Sequence, residues 1–181
     1  MPDLATKPHL IELNLRDIHQ LFNSMDPSPF HDKDLDRGAE EFIVSWAREH
    51  PLDEPVTLRV HLERWPAEDP ASLIRDAVHN YFAYRRDLTQ LDLRRLLRQG
   101  RVSLTIGLLF LGACFIVREM LPQNPGHLMG YLRESLLIMG WVAMWKPMEI
   151  YLYEWWPLRR EIRNFARLTA MPVEVVKKAA A

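Results

Sequence analysis

Two ionisable residues in an otherwise apolar stretch have the types and the spacing that could do chemistry. Lys146 and Glu149 lie three positions apart in the segment that begins near Leu132, with Pro147 between them. Residues three apart share one face of a helix, and an ionisable group inside a membrane segment suggests an ion or proton path. The alternative is structural, with the two charges neutralising each other near a membrane interface while Pro147 bends the helix. The sequence leaves both interpretations open.

The rest of the sequence has no recognisable catalytic, cofactor or metal motif. It contains no G-x-G-x-x-G, P-loop, G-x-S-x-G or H-E-x-x-H pattern, and its seven histidines are scattered. The single cysteine, Cys114, excludes an internal disulfide and a cysteine-based zinc cluster. The acidic run from Asp32 begins with calcium-loop spacing, but its glycine comes one position late and its twelfth residue is Ile43 rather than glutamate. We therefore expect a protein that is not an enzyme and binds no cofactor or metal.

Charge is distributed unevenly, although the net charge is only -1. Residues 1–69 carry 7 Lys+Arg against 15 Asp+Glu, whereas residues 70–101 carry 7 Arg against 3 Asp. A near-neutral chain argues against a nucleic-acid binder. The changes in charge and hydropathy predict four regions. These are an acidic cytosolic α/β domain at 1–69, a long basic connecting helix at 70–100, a two-helix transmembrane hairpin at 101–156 and a basic cytosolic tail at 157–181.

Hydrophobic periodicity predicts the elements of the first two regions. Residues 55–62 alternate cleanly and residues 10–15 alternate partly, as half-buried strands do. Helical spacing of apolar residues predicts a short helix at 16–23 and a longer one at 34–49. A third helix is expected from Pro70 to about Gly100. The predicted fold class is a small cytosolic α+β domain, with two strands and three helices, followed by an α-helical transmembrane hairpin.

The hairpin prediction depends on two apolar segments. Residues 102–117 contain no charge, and extension to Leu121 gives the roughly 20 residues that cross a bilayer. A second apolar segment follows after a short loop, so the spans are placed at about 101–121 and 132–154. Gly107, Gly112 and Gly140 are expected to let the two helices approach closely, because small residues permit close packing in membranes. A buried core helix of a soluble protein is the alternative interpretation of the first segment.

The residues flanking the spans indicate orientation. Tyr151, Tyr153, Trp155 and Trp156 resemble an interfacial aromatic belt. Arginines cluster before the first span and after the second, whereas the intervening loop lacks them, so the positive-inside rule places both termini in the cytoplasm. The arginines expected to contact anionic lipid headgroups are Arg94, Arg95, Arg98, Arg101, Arg159 and Arg160. The expected location is a bacterial inner membrane.

Two short stretches carry a resemblance. The segments LFNSMDPSPF and GWVAMWKPMEIYLYEWWPLRRE resemble an uncharacterised group of bacterial two-span inner-membrane proteins. The resemblance implies the location and no activity.

Three classes of function remain open on the sequence. The first is a membrane-anchored interaction or scaffold protein, or an accessory subunit, that contacts lipid headgroups and a protein partner or a second copy of itself. The second is a homo-oligomeric channel or transporter that uses Lys146 and Glu149, since two spans cannot enclose a pore alone. The third is an enzyme acting on a lipid or quinone at the inner interface.

Overall fold

The computed structural model describes residues 9–27, 33–66, 69–122 and 127–178. In chain order the elements are β1 (His9–Leu15), a 3-10 turn (Ile18–Leu21), α1 (Arg37–Glu49), β2 (Val56–Leu62), α2 (Ala71–Met120), α3 (His127–Ala143), α4 (Trp145–Glu149), a π-helix (Ile150–Glu154), α5 (Trp155–Thr169) and β3 (Val173–Lys177). The start of the acidic run, at His31 and Asp32, and part of the loop predicted between the spans lie outside the described residues.

The described chain divides into two compact units. The first contains the residues up to Thr89 and those from Arg160 onward, and we call it the sheet unit. The second contains Gln90–Arg159, and we call it the apolar unit.

A three-stranded parallel sheet lies at the centre of the sheet unit, with β2 between β1 and β3. Parallel neighbours need long crossover connections, and here α1 lies between β1 and β2, whereas α2 to α5 precede β3. Along β2, Val56, Leu58, Val60 and Leu62 are almost fully buried. The alternate residues Thr57, Arg59 and His61 belong to the other face, as the period of two in a strand requires.

Helices cover one face of the sheet and close a hydrophobic core. Residues four apart on α1, Ala39, Ile43 and Ala47, are buried in it. Phe82, near the start of α2, and Phe165 of α5 are 0% and 1% exposed, and their rings lie 6.2 Å apart. The core therefore joins residues from the first half of the chain with residues close to its end.

The predicted fold class was wrong in three respects. The sheet has three strands rather than two, because residues 173–177 of the predicted basic tail form β3 beside β2. The connecting helix does not end near Gly100, since α2 continues without interruption to Met120. Among the described residues, α2 is the one helix that is long and apolar enough to cross a membrane, judged by length and composition.

The second predicted span is not a continuous helix, so the two-span hairpin is corrected as well. Helix α3 ends at Ala143, four residues before Pro147, and a short helix and a π-helix follow. Proline has no N–H to donate to the carbonyl four residues earlier, and its ring clashes with that carbonyl. Pro147 therefore accounts for the end of α3 at Ala143.

Candidate functional site

The apolar unit exposes most of the apolar side chains on the second half of α2. Of its most apolar 18-residue window, 17% is buried within the structure. Leu109 is 71% exposed, Ile116 63% and Ile106 61%. A core helix of a soluble protein would be mostly buried, and contiguous exposed apolar patches mark membrane or protein contacts. This surface is the strongest functional feature of the unit.

The segment that follows α2 adds large exposed apolar side chains to the same unit. The residues that are more than half exposed include Leu128, Tyr131, Ile138, Trp141, Val142, Trp145, Leu152, Tyr153 and Trp156. Tyr153 and Trp156, of the predicted aromatic belt, belong to this set, whereas Tyr151 and Trp155 are partly buried. The indole N–H of Trp155 donates to the Tyr151 carbonyl at 2.8 Å.

Two of the three predicted packing glycines lie at helix contacts within the apolar unit. A Cβ on Gly107 would lie 3.0 Å from the Met144 Sδ and 3.1 Å from the Ala143 carbonyl oxygen. A Cβ on Gly140 would lie 2.6 Å from the end of the Leu111 side chain. Gly112 differs, because no described atom lies within 4 Å of the place where its Cβ would be.

A third close contact, which the sequence pattern did not predict, lies at Gly100. A Cβ there would lie 2.9 Å from the Ile150 side chain and 3.2 Å from the Tyr151 ring. Gly100 was interpreted as the end of a helix, whereas it lies inside α2 where the π-helix packs against it. The position of a glycine in an otherwise strong helical pattern was the available signal.

Lys146 lies between two carboxylates. Its Nζ donates to Glu149 Oε2 at 3.1 Å and to Glu154 Oε1 at 2.6 Å. Residues eight apart in a regular α-helix point roughly 80° away from each other, so the π-helix at 150–154 is what brings Glu154 to Lys146. Helical spacing alone did not identify Glu154 as a partner. Short π-helical segments are frequent at functional sites.

The predicted headgroup-facing arginines are exposed. Arg94, Arg95, Arg98, Arg101, Arg159 and Arg160 all have exposed side chains. Arg95 lies 3.3 Å from Asp92, and the Arg159 guanidinium lies 5.7 Å from the centre of the Trp155 ring. Their exposure leaves these cations accessible to anionic groups.

The sheet unit contains an open groove of about 810 Å³ between α1, the start of α2 and the end of α5. Charges of both signs line it. Arg48 pairs with Glu161 at 3.0 Å, and Arg85 pairs with Glu40 at 2.9 Å. The charges therefore come largely as neutralised pairs rather than as a field of one sign.

Tyr81 connects the wall of this groove to the core. Its hydroxyl donates to Glu40 Oε2 at 2.6 Å. Burial, together with the hydrogen bond to the Glu40 carboxylate, raises the pKa of Tyr81 well above its ordinary value. The phenol therefore stays protonated and holds Glu40 in place beside Arg85.

Three potential metal ligands meet in the sheet unit, which the scattered histidine positions did not predict. His9, His50 and Glu54 each offer one ligand atom, and these atoms all lie within 4.8 Å of one another. The His9 Nε2 lies 2.6 Å from Glu54 Oε2, and the rings of His9 and His50 stack at 3.7 Å. The parallel pairing of β1 with β2 creates this cluster, because it places His9 beside Val56, two residues after Glu54.

No family model matches the chain, and no curated protein or solved structure shows significant similarity to it.

Proposed function

We propose that the chain is a membrane-anchored interaction protein, in which the apolar unit embeds in a lipid bilayer and the sheet unit presents a surface to a partner. The exposed apolar window of α2 is the observation that carries the proposal. Burial of apolar surface stabilises by about 25 cal/mol per Å², so a surface of this kind favours leaving water for lipid.

Three further features support an anchor at the cytoplasmic face of a bacterial inner membrane. Exposed arginines flank the apolar part of α2 on its N-terminal side and also follow the π-helix, as the positive-inside rule expects for cytoplasmic flanks. Two tyrosines and two tryptophans accompany the second cluster. Because β1 and β3 both pair with β2, strands from both ends of the described chain belong to one sheet. In a membrane-anchored chain, these strands would therefore lie on one side of the bilayer.

The groove lined by Glu40, Arg48, Arg85 and Glu161 is the surface that we assign to a protein partner. Paired charges of both signs suit a polar protein surface better than a nucleic acid, which would need a predominantly basic face. Electrostatic complementarity of this kind contributes specificity more than affinity.

The channel alternative has weaker support. The Lys146 ammonium donates hydrogen bonds to two carboxylates of its own unit. Its charge is therefore neutralised within the unit, which suits a structural role better than the lining of a pore. Ion flux through liposomes that is lost in Lys146→Met or in Glu149→Gln would favour the channel over the anchor.

Membrane extraction of matched variants tests the anchor. We expect the full chain to stay with membranes after an alkaline carbonate wash. Leu109→Arg should release a large part of it, because Leu109 is 71% exposed in the middle of the uncharged stretch 102–117, and an arginine in the centre of an apolar span costs roughly 2.5–3.5 kcal/mol on insertion scales. Met25→Arg is the matched control, since Met25 is 91% exposed in the sheet unit, and it should stay with the membrane fraction as the wild type does.

The proposal also predicts a partner that depends on the groove. Arg48→Glu, which places a second acidic group beside Glu161, should lower co-purification of that partner in mild detergent without releasing the chain from membranes. A wild-type chain that washes off membranes with the peripheral proteins would contradict the anchor. If Arg48→Glu still co-purifies with every partner, the groove is not the partner-binding surface. That result would not contradict the membrane anchor.

A further inference from the structure

We propose that His9, His50 and Glu54 bind one divalent transition-metal ion of the zinc type. The three residues come from the first position of β1, the end of α1 and the loop before β2. Their ligand atoms lie within 4.8 Å of one another. The site lies entirely within the sheet unit, so it does not depend on the proposal that the apolar unit embeds in a membrane.

The chemistry of the donor set selects the class of metal. Two imidazoles and one carboxylate are the protein ligands of many zinc sites that keep a fourth position for water. Calcium and magnesium prefer oxygen ligands, so two nitrogen donors argue against them. The absence of a thiolate argues against copper(I) and iron–sulfur chemistry at this position.

His50 supplies an independent observation. Its Nε2 is buried and has no hydrogen-bond partner among the described residues. Polar atoms in this state are rare in folded proteins, because the lost interaction with water costs about 1–3 kcal/mol. Coordination of a metal ion by His50 Nε2 would remove this cost.

The backbone that carries two of the ligands is held by Arg167. The guanidinium of this α5 residue donates to the carbonyls of Ala47, Pro51 and Glu54 and to the side chain of Asn164. These bonds hold the end of α1 and the loop in which His50 and Glu54 lie. Arg167 contacts backbone carbonyls there, and the Glu54 carboxylate remains available to His9 or to a metal. Arg167 is therefore a positioning residue.

Small movements would convert the present contact into a coordination site. His9 and Glu54 share a hydrogen bond of 2.6 Å, whereas two ligands of one tetrahedral zinc ion lie roughly 3.3 Å apart, given bonds of about 2.0–2.1 Å. The stacked imidazole rings, inclined by 15°, must also tilt so that their nitrogen lone pairs converge. Both changes are side-chain rotations, and the side chains of His9 and Glu54 are about one-third exposed.

Metal binding would also displace protons. A histidine ligates through a neutral imidazole and a glutamate through a carboxylate, so protons compete with the metal for these ligands. The apparent affinity should therefore fall when the solution is acidified. The charges of Asp53 and Glu54 both act on the Arg167 guanidinium.

Zinc titration of the full chain in mild detergent tests the proposal. The protein is freed of metal with a chelator and titrated with Zn²⁺ against a chromophoric competitor, and Co²⁺ then serves as a visible probe of coordination. We expect one ion per chain. His50→Gln and Glu54→Gln should each weaken binding by at least tenfold and alter the Co²⁺ spectrum. His127→Gln, in the apolar unit, is the matched control and should bind as the wild type does.

Each outcome is decisive. Failure of the wild type to bind at micromolar Zn²⁺ overturns the proposal, as does equal binding by all four proteins, which would indicate an adventitious ion only. Glu54→Gln is nearly isosteric and lies in a partly exposed loop, so urea unfolding of the metal-free variant should match that of the wild type. If metal-free Glu54→Gln is destabilised, the proposal is tested instead by His50→Gln and Glu54→Asp, which should both bind Zn²⁺ more weakly than the wild type.

Discussion

Arg59 and Lys146 each lie between two carboxylates, one on the open face of the sheet and the other in the apolar unit. Arg59 lies 3.8 Å from Glu12 and 2.8 Å from Glu174, which pair with it in register on either side. Lys146 lies 3.1 Å from Glu149 and 2.6 Å from Glu154. The two arrangements have the same charges, and their surroundings differ.

Solvent decides what each arrangement contributes. All three charges on the sheet face are partly exposed beside other polar side chains, where such pairs contribute about 0–1 kcal/mol. Around Lys146 the exposed neighbours are large apolar side chains, Trp145 among them. If lipid covers that surface, as we propose, each charge needs its partner because no water is available to replace it.

The apolar residues of the two units show the same contrast. In the sheet unit, Phe82 and Phe165 are buried against each other. In the apolar unit, Leu109 and Ile116 are mostly exposed. The sheet unit therefore contains its own hydrophobic core. The apolar unit leaves its apolar side chains exposed and needs lipid or another protein surface to cover them.

The largest expected effect separates these two kinds of apolar residue. Phe82→Ala should lower the free energy of unfolding of the sheet unit by about 3–5 kcal/mol, because it removes a fully buried ring. Phe110→Ala, at a residue that is 44% exposed in the apolar unit, should lower it far less. Urea unfolding in detergent, monitored by amide hydrogen exchange in β2, measures the difference between the two variants. Equal losses would contradict the division into a self-contained unit and a covered one.

The second effect concerns the two cations. Lys146→Met leaves Glu149 and Glu154 close together without a cation, and we expect a several-fold fall in the yield of membrane-inserted protein. Arg59→Met should leave that yield unchanged and alter the free energy of unfolding by no more than about 1 kcal/mol. Lys146→Arg keeps the charge and should recover most of the yield. A similar yield from both methionine variants would show that the two clusters have the same surroundings.

Local patterns located parts of the fold, and long-range pairing decided the rest. The alternation at 55–62 coincides with β2, because a strand with one buried face imposes a period of two. The short Val173–Lys177 strand also alternates at first, with Val173 and Val175 on either side of Glu174, but its partner lies more than a hundred residues earlier. Such a pairing depends on the crossover helices, which no local pattern specifies.

The candidate sites were missed for the same reason. His9 and Glu54 meet only because two strands pair in parallel, and Glu154 reaches Lys146 only through a π-helix. The continuity of α2 was missed because the boundary near Gly100 was placed where the basic sequence changes to the uncharged apolar segment. The π-helix packs against Gly100, so the glycine serves a close contact rather than a boundary.

A third, smaller effect compares two glycines of α2. Gly112→Ala should stabilise the helix by up to about 1 kcal/mol, because alanine has the higher helix propensity and nothing described lies within 4 Å of the new Cβ. Gly107→Ala gains the same propensity but presses its Cβ against the Ala143 carbonyl at 3.1 Å, so we expect no net gain or a loss. Thermal unfolding in detergent checks the order of the two variants. A larger gain for Gly107→Ala would show that α3 does not pack closely there.

The smallest expected effect is a pH dependence that belongs to the sheet unit alone. The Glu63 carboxylate, just after β2, accepts a hydrogen bond from Lys178 Nζ at 2.9 Å. This bond and the charge of Lys178 lower the pKa of Glu63 below its ordinary value of 4.5. A carboxyl with a lowered pKa in the folded state stabilises the fold at pH values above its ordinary pKa, and the contribution is lost as the pH falls through the folded pKa.

Glu63→Gln should therefore lower the urea midpoint slightly at pH 7, and the difference from the wild type should disappear as the pH falls below 4.5 and through the lower pKa of the folded state. The effect is small because both side chains are 45% exposed. In the Lys178→Met variant, Glu63→Gln should have a much smaller effect at pH 7, since only the charges of Arg16 and Arg64 then act on Glu63. High salt should reduce the difference at pH 7 as well. If the difference persists in acid, the charge of Glu63 is not its source.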